Sequence, residues 1–277
     1  MTIETKPQWG SSYRLIAAEK WKAKSAAMGR GVTQALVAYA NPQPGMHALD
    51  IATGTGEPGI SIASRVGPSG HVTAVDLSHE LLEIADQRAQ ARGLSNFTTK
   101  QGDAHALPFP DNKFDLATCR FGVMFFAEVE KALRELHRVL KPGGRACFVA
   151  WGPYDQPYWV TTMAVVQKHL GLPVGGPEDM FRFAPAGTLS ATLQTAGFSK
   201  VEEELKTLPW TWPGPADEVW QYAQAVSSPF RSLLDQVPAD QWDEVNRKVH
   251  EAIRPYVKGE AVDFGVQVVM ASGTKPE

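Results

Sequence analysis

Apolar positions along this chain recur in two rhythms that alternate. Runs of strand length at 48–51, 71–75, 97–101, 114–121 and 146–150 are separated by stretches whose apolar residues return every three or four positions. The clearest such stretch is 78–92. Leu81, Leu82, Ile84, Ala85 and Ala89 share one face, Ser78 stands at the N-cap position, and Gly93 stops the helix. A second amphipathic helix spans 127–140 and closes on Lys141-Pro142-Gly143-Gly144-Arg145. Strands and helices alternating at this spacing predict an α/β fold, with a parallel sheet and helices on both faces.

On either side of that run the rhythm loosens. Segments 18–28 and 32–40 read as helices parted by Gly29 and Gly31, with Trp21, Met28, Leu36 and Tyr39 turned inward. Asn41-Pro42-Gln43-Pro44-Gly45 then stops the chain before the first strand. Beyond Trp151, 159–170 and 185–196 read as helices, 200–208 as a sixth strand, 215–257 as a helical insertion and 264–271 as a last strand. The chain divides into an N-terminal helical arm or lid (1–45), a core (46–151) and a remainder (152–277). That remainder completes the sheet and supplies a helical cap from 152–197 and 215–257. Trp9, Tyr13 and Trp21 either close over a ligand or pack the arm onto the core.

Composition narrows the partners. At 277 residues and 43% hydrophobic content the chain can bury one large core with a cap. A formal net charge of −3 offers no field to a polyanion, so no nucleic-acid partner is expected. No apolar run reaches membrane-spanning length, and the first residues carry no signal-peptide core. The two cysteines, Cys119 and Cys147, lie in strand-like runs, which predicts buried free thiols and a reducing cytoplasm. The pattern selects no oligomeric state.

The candidate chemistry begins where the first strand ends. Gly54-Thr55-Gly56-Glu57-Pro58-Gly59 satisfies a GxGxxG turn, with Pro58 near the first helical position. Glycine admits the positive φ of a tight turn and lets a ligand approach closer than a Cβ permits. The new helix start offers unpaired amides. The next strand ends on Asp76, where an acid for ribose hydroxyls belongs in a βαβ unit. Two adenosine cofactors share this arrangement: a nicotinamide dinucleotide and S-adenosylmethionine.

Five segments then carry a resemblance: Leu49-Asp50-Ile51-Ala52-Thr53-Gly54-Thr55-Gly56, Ala74-Val75-Asp76-Leu77-Ser78, 102–109 beginning Gly102-Asp103-Ala104, 114–122, and 140–145. In this order over 48–151 the chain resembles class I S-adenosylmethionine-dependent methyltransferases, and most of all their UbiE-like small-molecule group. The resemblance implies a Rossmann-like, seven-stranded, mostly parallel sheet whose last strand runs antiparallel. It also selects S-adenosylmethionine, because a dehydrogenase needs neither an acid inside the first strand nor Gly-Asp-Ala after the third. Carried over by position, it implies that Asp50 orients the glycine turn and meets the methionine amino group, directly or through water. Gly54, Thr55 and Gly56 would pass the methionyl and ribose part, and Asp76 would take both ribose hydroxyls. Leu77 would lie on adenine, Asp103 would receive its exocyclic amine, and Ala104 would offer an amide to a ring nitrogen. Arg120 lines the methionyl side or else forms an ion pair within the fold. The bland alternatives are a turn anchor for Asp50 and strand-end caps for Asp76 and Asp103.

The implied reaction is in-line transfer of an activated methyl group, so the protein has to place a nucleophile and exclude water. A site beyond the carboxyl ends of the strands puts Phe121, Phe125, Trp151 and Trp210 against the acceptor, with Met124, Tyr154, Tyr158, Trp159 and Trp212 nearby. Such walls predict a flat or apolar small molecule. Tyr154, Asp155 and His250 are the candidates for a general base. His71 and His137 read as structural and His105 as a neighbour of adenine. The seven histidines show no ligand spacing, so no metal is expected. Two other readings compete: an S-adenosylmethionine-binding protein without methyl transfer, and a nicotinamide-dependent oxidoreductase.

Overall fold

The alternating runs form one seven-stranded sheet in the computed structural model, which describes residues 21–277. Its first part comprises α1 (Lys22–Met28), α2 (Arg30–Ala40), β1 (His47–Ile51), α3 (Gly59–Val66), β2 (His71–Asp76) and α4 (His79–Ala91). β3 (Phe97–Gln101), β4 (Phe114–Arg120), α5 (Val129–Val139) and β5 (Leu140–Trp151) follow. Ser78 caps α4, its hydroxyl accepting the Leu81 N–H at 3.3 Å. Helix α5 buries Ala132, Leu133, Leu136 and Val139 at the three-and-four spacing of an amphipathic helix.

The later elements are α6 (Pro157–Val160), α7 (Met163–His169), α8 (Glu178–Phe181), α9 (Thr188–Thr195), β6 (Ser199–Leu208) and β7 (Thr211–Trp212). They continue with α10 (Ala216–Val226), α11 (Arg231–Leu234), α12 (Trp242–Ile253), β8 (Val257–Lys258), β9 (Ala261–Asp263) and β10 (Val266–Thr274). The sheet order is β3-β2-β1-β4-β5-β10-β6. β1 to β5 pair in parallel, and β10 runs antiparallel between β5 and β6. This is the expected Rossmann-like arrangement with a reversed last strand. The strand order switches direction between β1 and β4, and ligands in such sheets bind outside the carboxyl ends at that crevice. Side chains from Trp21 to Ala271 form one continuous apolar core. Cys119 and Cys147 are buried free thiols within it, and burial pushes the Cys147 thiol up to about 12.

Several local boundaries differ from the sequence expectation, each for a physical reason. Gly31 lies inside α2 instead of breaking it; a Cβ there would come within 2.8 Å of the Pro209 carbonyl oxygen, so the small residue serves close packing. Segment 159–170 is two helices, because the Thr161 and Thr162 hydroxyls return to the carbonyls of Pro157 and Tyr158 at 2.8 and 2.6 Å. The last strand starts at Val266, after Gly265 turns the chain at φ +65°. The 215–257 insertion is helical up to its last residue, where Val257 begins β8; β8 pairs with β9, and β9 pairs with β7, in a small sheet ordered β7-β9-β8. Strands of two or three residues carry no period to read. Trp21 packs edge-on against Trp212 at 5.5 Å, while Trp9 and Tyr13 lie outside the described residues.

Candidate active site

β1 ends near a carboxylate hidden from water. Asp50 is 1% exposed. Its Oδ2 accepts the Thr53 hydroxyl at 2.6 Å and the Gly59 N–H at 3.1 Å, and its Oδ1 accepts the Thr118 hydroxyl from β4 at 2.7 Å. Burial raises its carboxyl from 3.8 to about 6, while those three donors and the Arg120 charge pull the other way. Asp50 therefore ties together β1, β4, the turn and the start of α3. A Cβ on Gly59 would stand 3.0 Å from the Asp50 Oδ2 and 3.1 Å from Phe97, which is why glycine opens this helix.

Gly54 and Gly56 both take positive φ, +56° and +106°. A Cβ on Gly56 would strike Ile60 at 2.5 Å, whereas one on Gly54 would meet nothing within 4 Å. The turn is thus packed beneath Gly56 and open above Gly54. The Gly54 N–H donates to Asp76 Oδ2 at 2.8 Å and the Ser78 N–H to Oδ1 at 3.0 Å. Each Asp76 oxygen uses one acceptor position on the backbone and keeps another for a ligand hydroxyl. Leu77, next in the chain, is 63% exposed. Thr55 turns its hydroxyl to Arg88 of α4, which also donates to the Thr55 carbonyl at 3.1 Å.

After β3, Asp103 accepts the His105 N–H at 2.9 Å and the His105 Nδ1–H. The His105 Nε2 accepts the Glu128 N–H at 3.2 Å, which places the ring proton on Nδ1. This holds the half-exposed Asp103 beside the buried Ala104. Arg120 closes β4 against α2: its Nη1 donates to the Thr33 hydroxyl at 2.8 Å, and its Nε is buried without a hydrogen-bond partner. Among the described residues it forms no ion pair, so the in-fold salt bridge weighed from sequence is not made. Burial lowers its pKa, with Glu57 and Asp50 opposing. A part-buried guanidinium with an unused N–H is a candidate donor for a carboxylate.

Phe121 follows at φ +58° and stacks on Trp151, ring centroids 4.4 Å apart and planes 22° off parallel. Trp159 and Trp210 meet Trp151 edge-on at 5.3 and 5.5 Å, and Phe125 packs half-buried against the same core. The three candidate bases are not gathered here. The Tyr154 hydroxyl donates to Gln167 Oε1 at 2.9 Å, and burial raises its pKa. Asp155 is exposed, and His250 lies 3.2 Å from Asp217 on the insertion. His71 bonds Thr98 at 2.9 Å at the amino end of its strand, and His137 packs on Phe198 at 5.1 Å. Among the described residues no three His, Cys, Asp or Glu side chains converge as a metal-ligand set.

Thr33, Thr53, Thr118 and Tyr222 complete the site, although the sequence pattern singles out none of them. Tyr222, from α10, packs on Trp212 at 4.9 Å and lies within electrostatic range of Arg120. The open space over Gly54, the spare acceptor positions of Asp76 and the orphaned Arg120 N–H together suit an adenosyl amino acid.

Residues 27–171 match the ubiE/COQ5 methyltransferase family. A demethylmenaquinone methyltransferase of Geobacillus kaustophilus is 44% identical over 104 residues, which make up 38% of this chain and 44% of that protein; the match spans less than half of that relative. One from Listeria welshimeri is 33% identical over 172 residues, covering 57% of this chain and 72% of that protein. The crystal structure of an S-adenosylmethionine-dependent methyltransferase from Aquifex aeolicus superposes with a TM-score of 0.54 at 21% identity. It covers 72% of this chain and 94% of that one, a likeness of fold.

Proposed function

The chain belongs to the ubiE/COQ5 methyltransferase family, and on that premise we propose that it moves the methyl group of S-adenosylmethionine onto a small, flat, largely apolar acceptor. The observation that carries the cofactor assignment is the Asp76 carboxylate, held over the open Gly54 turn by two backbone N–H groups. In this reading Asp76 accepts the ribose hydroxyls and Leu77 covers adenine. Asp103 accepts the exocyclic amine, and the Ala104 N–H serves a ring nitrogen. Gly54, Thr55 and Gly56 lie along the methionyl and ribose part, Asp50 acts through the turn it anchors, and Arg120 pairs with the methionyl carboxylate.

The cofactor supplies a methyl carbon already activated by a cationic sulfur. The chain supplies position and a dry setting. Phe121, Phe125, Trp151 and Trp210 wall the acceptor, the segments 152–197 and 215–257 cap it, and the described part of the N-terminal arm, 21–45, forms the lid. Since Tyr154, Asp155 and His250 are each engaged or placed elsewhere, the acceptor brings its own electron-rich atom instead of relying on a strong protein base. The name shared by the bacterial relatives supports a quinone-like ring as the acceptor class; the formal net charge of −3 supports an enzyme without a nucleic-acid partner, and the two free buried thiols support a cytoplasmic one. Among the described residues no helix is long and apolar enough to cross a membrane.

Thermal melting with S-adenosylmethionine and with NAD tests the cofactor. A ligand at a hundred times its dissociation constant stabilises by about 2.7 kcal/mol, so the first should raise Tm and the second should not; the reverse result restores the oxidoreductase reading. Formation of S-adenosylhomocysteine with a panel of hydroxylated naphthalenes and phenols tests transfer. Binding without product across the panel restores the reading as a binding protein.

A further inference from the structure

Away from the glycine turn, β1, β2 and β3 present a second recess. Strand register sets His47 beside His71, Thr73 beside Thr98 and Val75 beside Lys100, so His47, His71, Thr73, Thr98 and Lys100 share one face of the sheet. Helix α3 packs on the other face, where its Gly59 meets Phe97. No helix joins β3 to β4. The connecting loop borders this face instead, and a cavity of about 400 Å³ opens there between His47, His71, Lys100, Phe109 and Lys113. That loop is held firmly. Arg138 of α5 donates to the carbonyls of Leu107 and Phe109 at 3.0 and 2.8 Å and to the carboxylates of Asp111 and Glu135 at 2.8 Å. Glu135 in turn accepts the Leu107 N–H at 2.8 Å.

The recess gathers positive charge that no carboxylate among its described lining residues balances. Lys100 and Lys113 both bring their ammonium groups over the single Phe109 ring, 5.3 and 4.7 Å from its centroid, and Lys113 lies 5.2 Å from Phe114. Among the described residues no Asp or Glu lines the cavity. The His47 and His71 rings are 6.4 Å apart. Burial, with the charges of His47 and Lys113, holds His71 below the usual histidine range. Carboxylates bonded to neighbouring residues are already engaged: Asp86 accepts the Thr99 hydroxyl at 2.6 Å, Asp111 accepts Arg138 at 2.8 Å, and Asp115 accepts the His47 N–H at 2.8 Å and the Lys141 ammonium at 2.7 Å. Like charges collected on a preformed concave wall repel one another until an anion joins them.

We propose that this recess is a second ligand site, one that takes a phosphate group between Lys100, Lys113 and His71, with the Phe109 ring as its apolar floor. Phosphate oxygens match the ammonium donors of Lys100 and Lys113, and the His71 imidazole, bonded to the Thr98 hydroxyl at 2.9 Å, stands beside them. The phosphate belongs either to a soluble phosphorylated molecule or to a lipid headgroup. The site is built from different residues than the methyl-transfer site and stands independently of it.

Two probes distinguish the sources, applied to the full chain with S-adenosylmethionine present: inorganic pyrophosphate, and phosphatidylcholine vesicles with or without phosphatidylglycerol. Saturable pyrophosphate binding by calorimetry, weakened at least about tenfold in the Lys100→Gln, Lys113→Gln double variant, supports a soluble ligand. Sedimentation with vesicles that requires phosphatidylglycerol and is lost in the same variant, without pyrophosphate binding, supports a headgroup. The variant should keep its melting shift with S-adenosylmethionine, which shows that it folds. In the wild-type chain, nuclear magnetic resonance should show the His71 ring titrating at higher pH once the probe is bound. If neither probe binds, or if both bind the double variant as tightly as the wild type, the site does not exist.

Discussion

The Gly54 N–H donates to the Asp76 carboxylate at 2.8 Å, joining residues 22 apart in sequence where β1 and β2 end side by side. One contact closes the glycine turn and also holds a carboxylate beside the open space above it. Asp76→Ala removes two hydrogen bonds to a charged acceptor on the ribose side, each worth about 1.5–3 kcal/mol. Affinity for S-adenosylmethionine should fall at least about a hundredfold, and the melting shift with the cofactor should vanish while the chain stays folded. An unchanged shift would remove the ribose assignment.

The two glycines of the turn should answer differently to alanine. At Gly56 the strained φ costs about 1–3 kcal/mol, and the new methyl also collides with Ile60. Gly56→Ala should therefore lower stability by more than about 2 kcal/mol in urea melts. Gly54→Ala places its methyl in open space and should cost about 1 kcal/mol of stability, yet it should weaken cofactor binding more than Gly56→Ala does. Equal losses of affinity would mean that the space over Gly54 is not the cradle.

Arg120 is expected to read the carboxylate of the methionyl group. The wild type should bind S-adenosylmethionine more tightly than its decarboxylated analogue by about tenfold or more, the worth of a charge-assisted hydrogen bond. Arg120→Met should abolish that preference, and competitive titration of the two compounds checks it. A preference that survives in the variant assigns the carboxylate to another residue.

Asp50 makes the fold sensitive to mild acid in an unusual direction. Its carboxyl ionises at about 3.8 when free and at about 6 when buried, so the folded state holds the proton more tightly than the unfolded chain does. The contribution of this group to stability is greatest in acid and is lost as pH rises through about 4 to 6, by roughly 3 kcal/mol in all. Asp50→Asn cannot ionise and lacks that decline. The stability of the variant minus that of the wild type should climb across this window and level off above it. Loss of a partner for Thr53, Thr118 or Gly59 displaces the whole curve without giving it a slope. A difference that stays flat from pH 4 to 7 would show that the carboxyl ionises normally.

The parts of the site that the sequence discloses are those whose work is local. Ser78 caps α4, Gly54 and Gly56 turn the chain, and Asp76 ends a strand, each decided by backbone preference and a few neighbours. The order of short runs and amphipathic stretches likewise specifies a parallel sheet with helices on both faces, whereas the reversed last strand follows from the family resemblance. Thr118 and Thr33 are different. They matter because they meet Asp50 and Arg120 across 68 and 87 residues of chain, and a threonine in a strand or helix has no signature for that. The base candidates chosen by residue type alone show the same limit, since the Tyr154 hydroxyl is bonded to Gln167 and His250 lies beside Asp217 on the insertion, relations that residue type does not disclose.

The amino-acid sequence by itself determined the element order, the glycine turn, the strand-end acids and the family they belong to. Only the tertiary structure decided that Asp50 is buried among three donors, that Arg120 keeps an unpaired N–H, and that His47, His71, Lys100 and Lys113 crowd one recess. Backbone preference and hydrophobic period belong to a few consecutive residues. Desolvation and charge balance depend on distances in space, and those take their values only when β1, β4, α2 and the loop before β4 pack together.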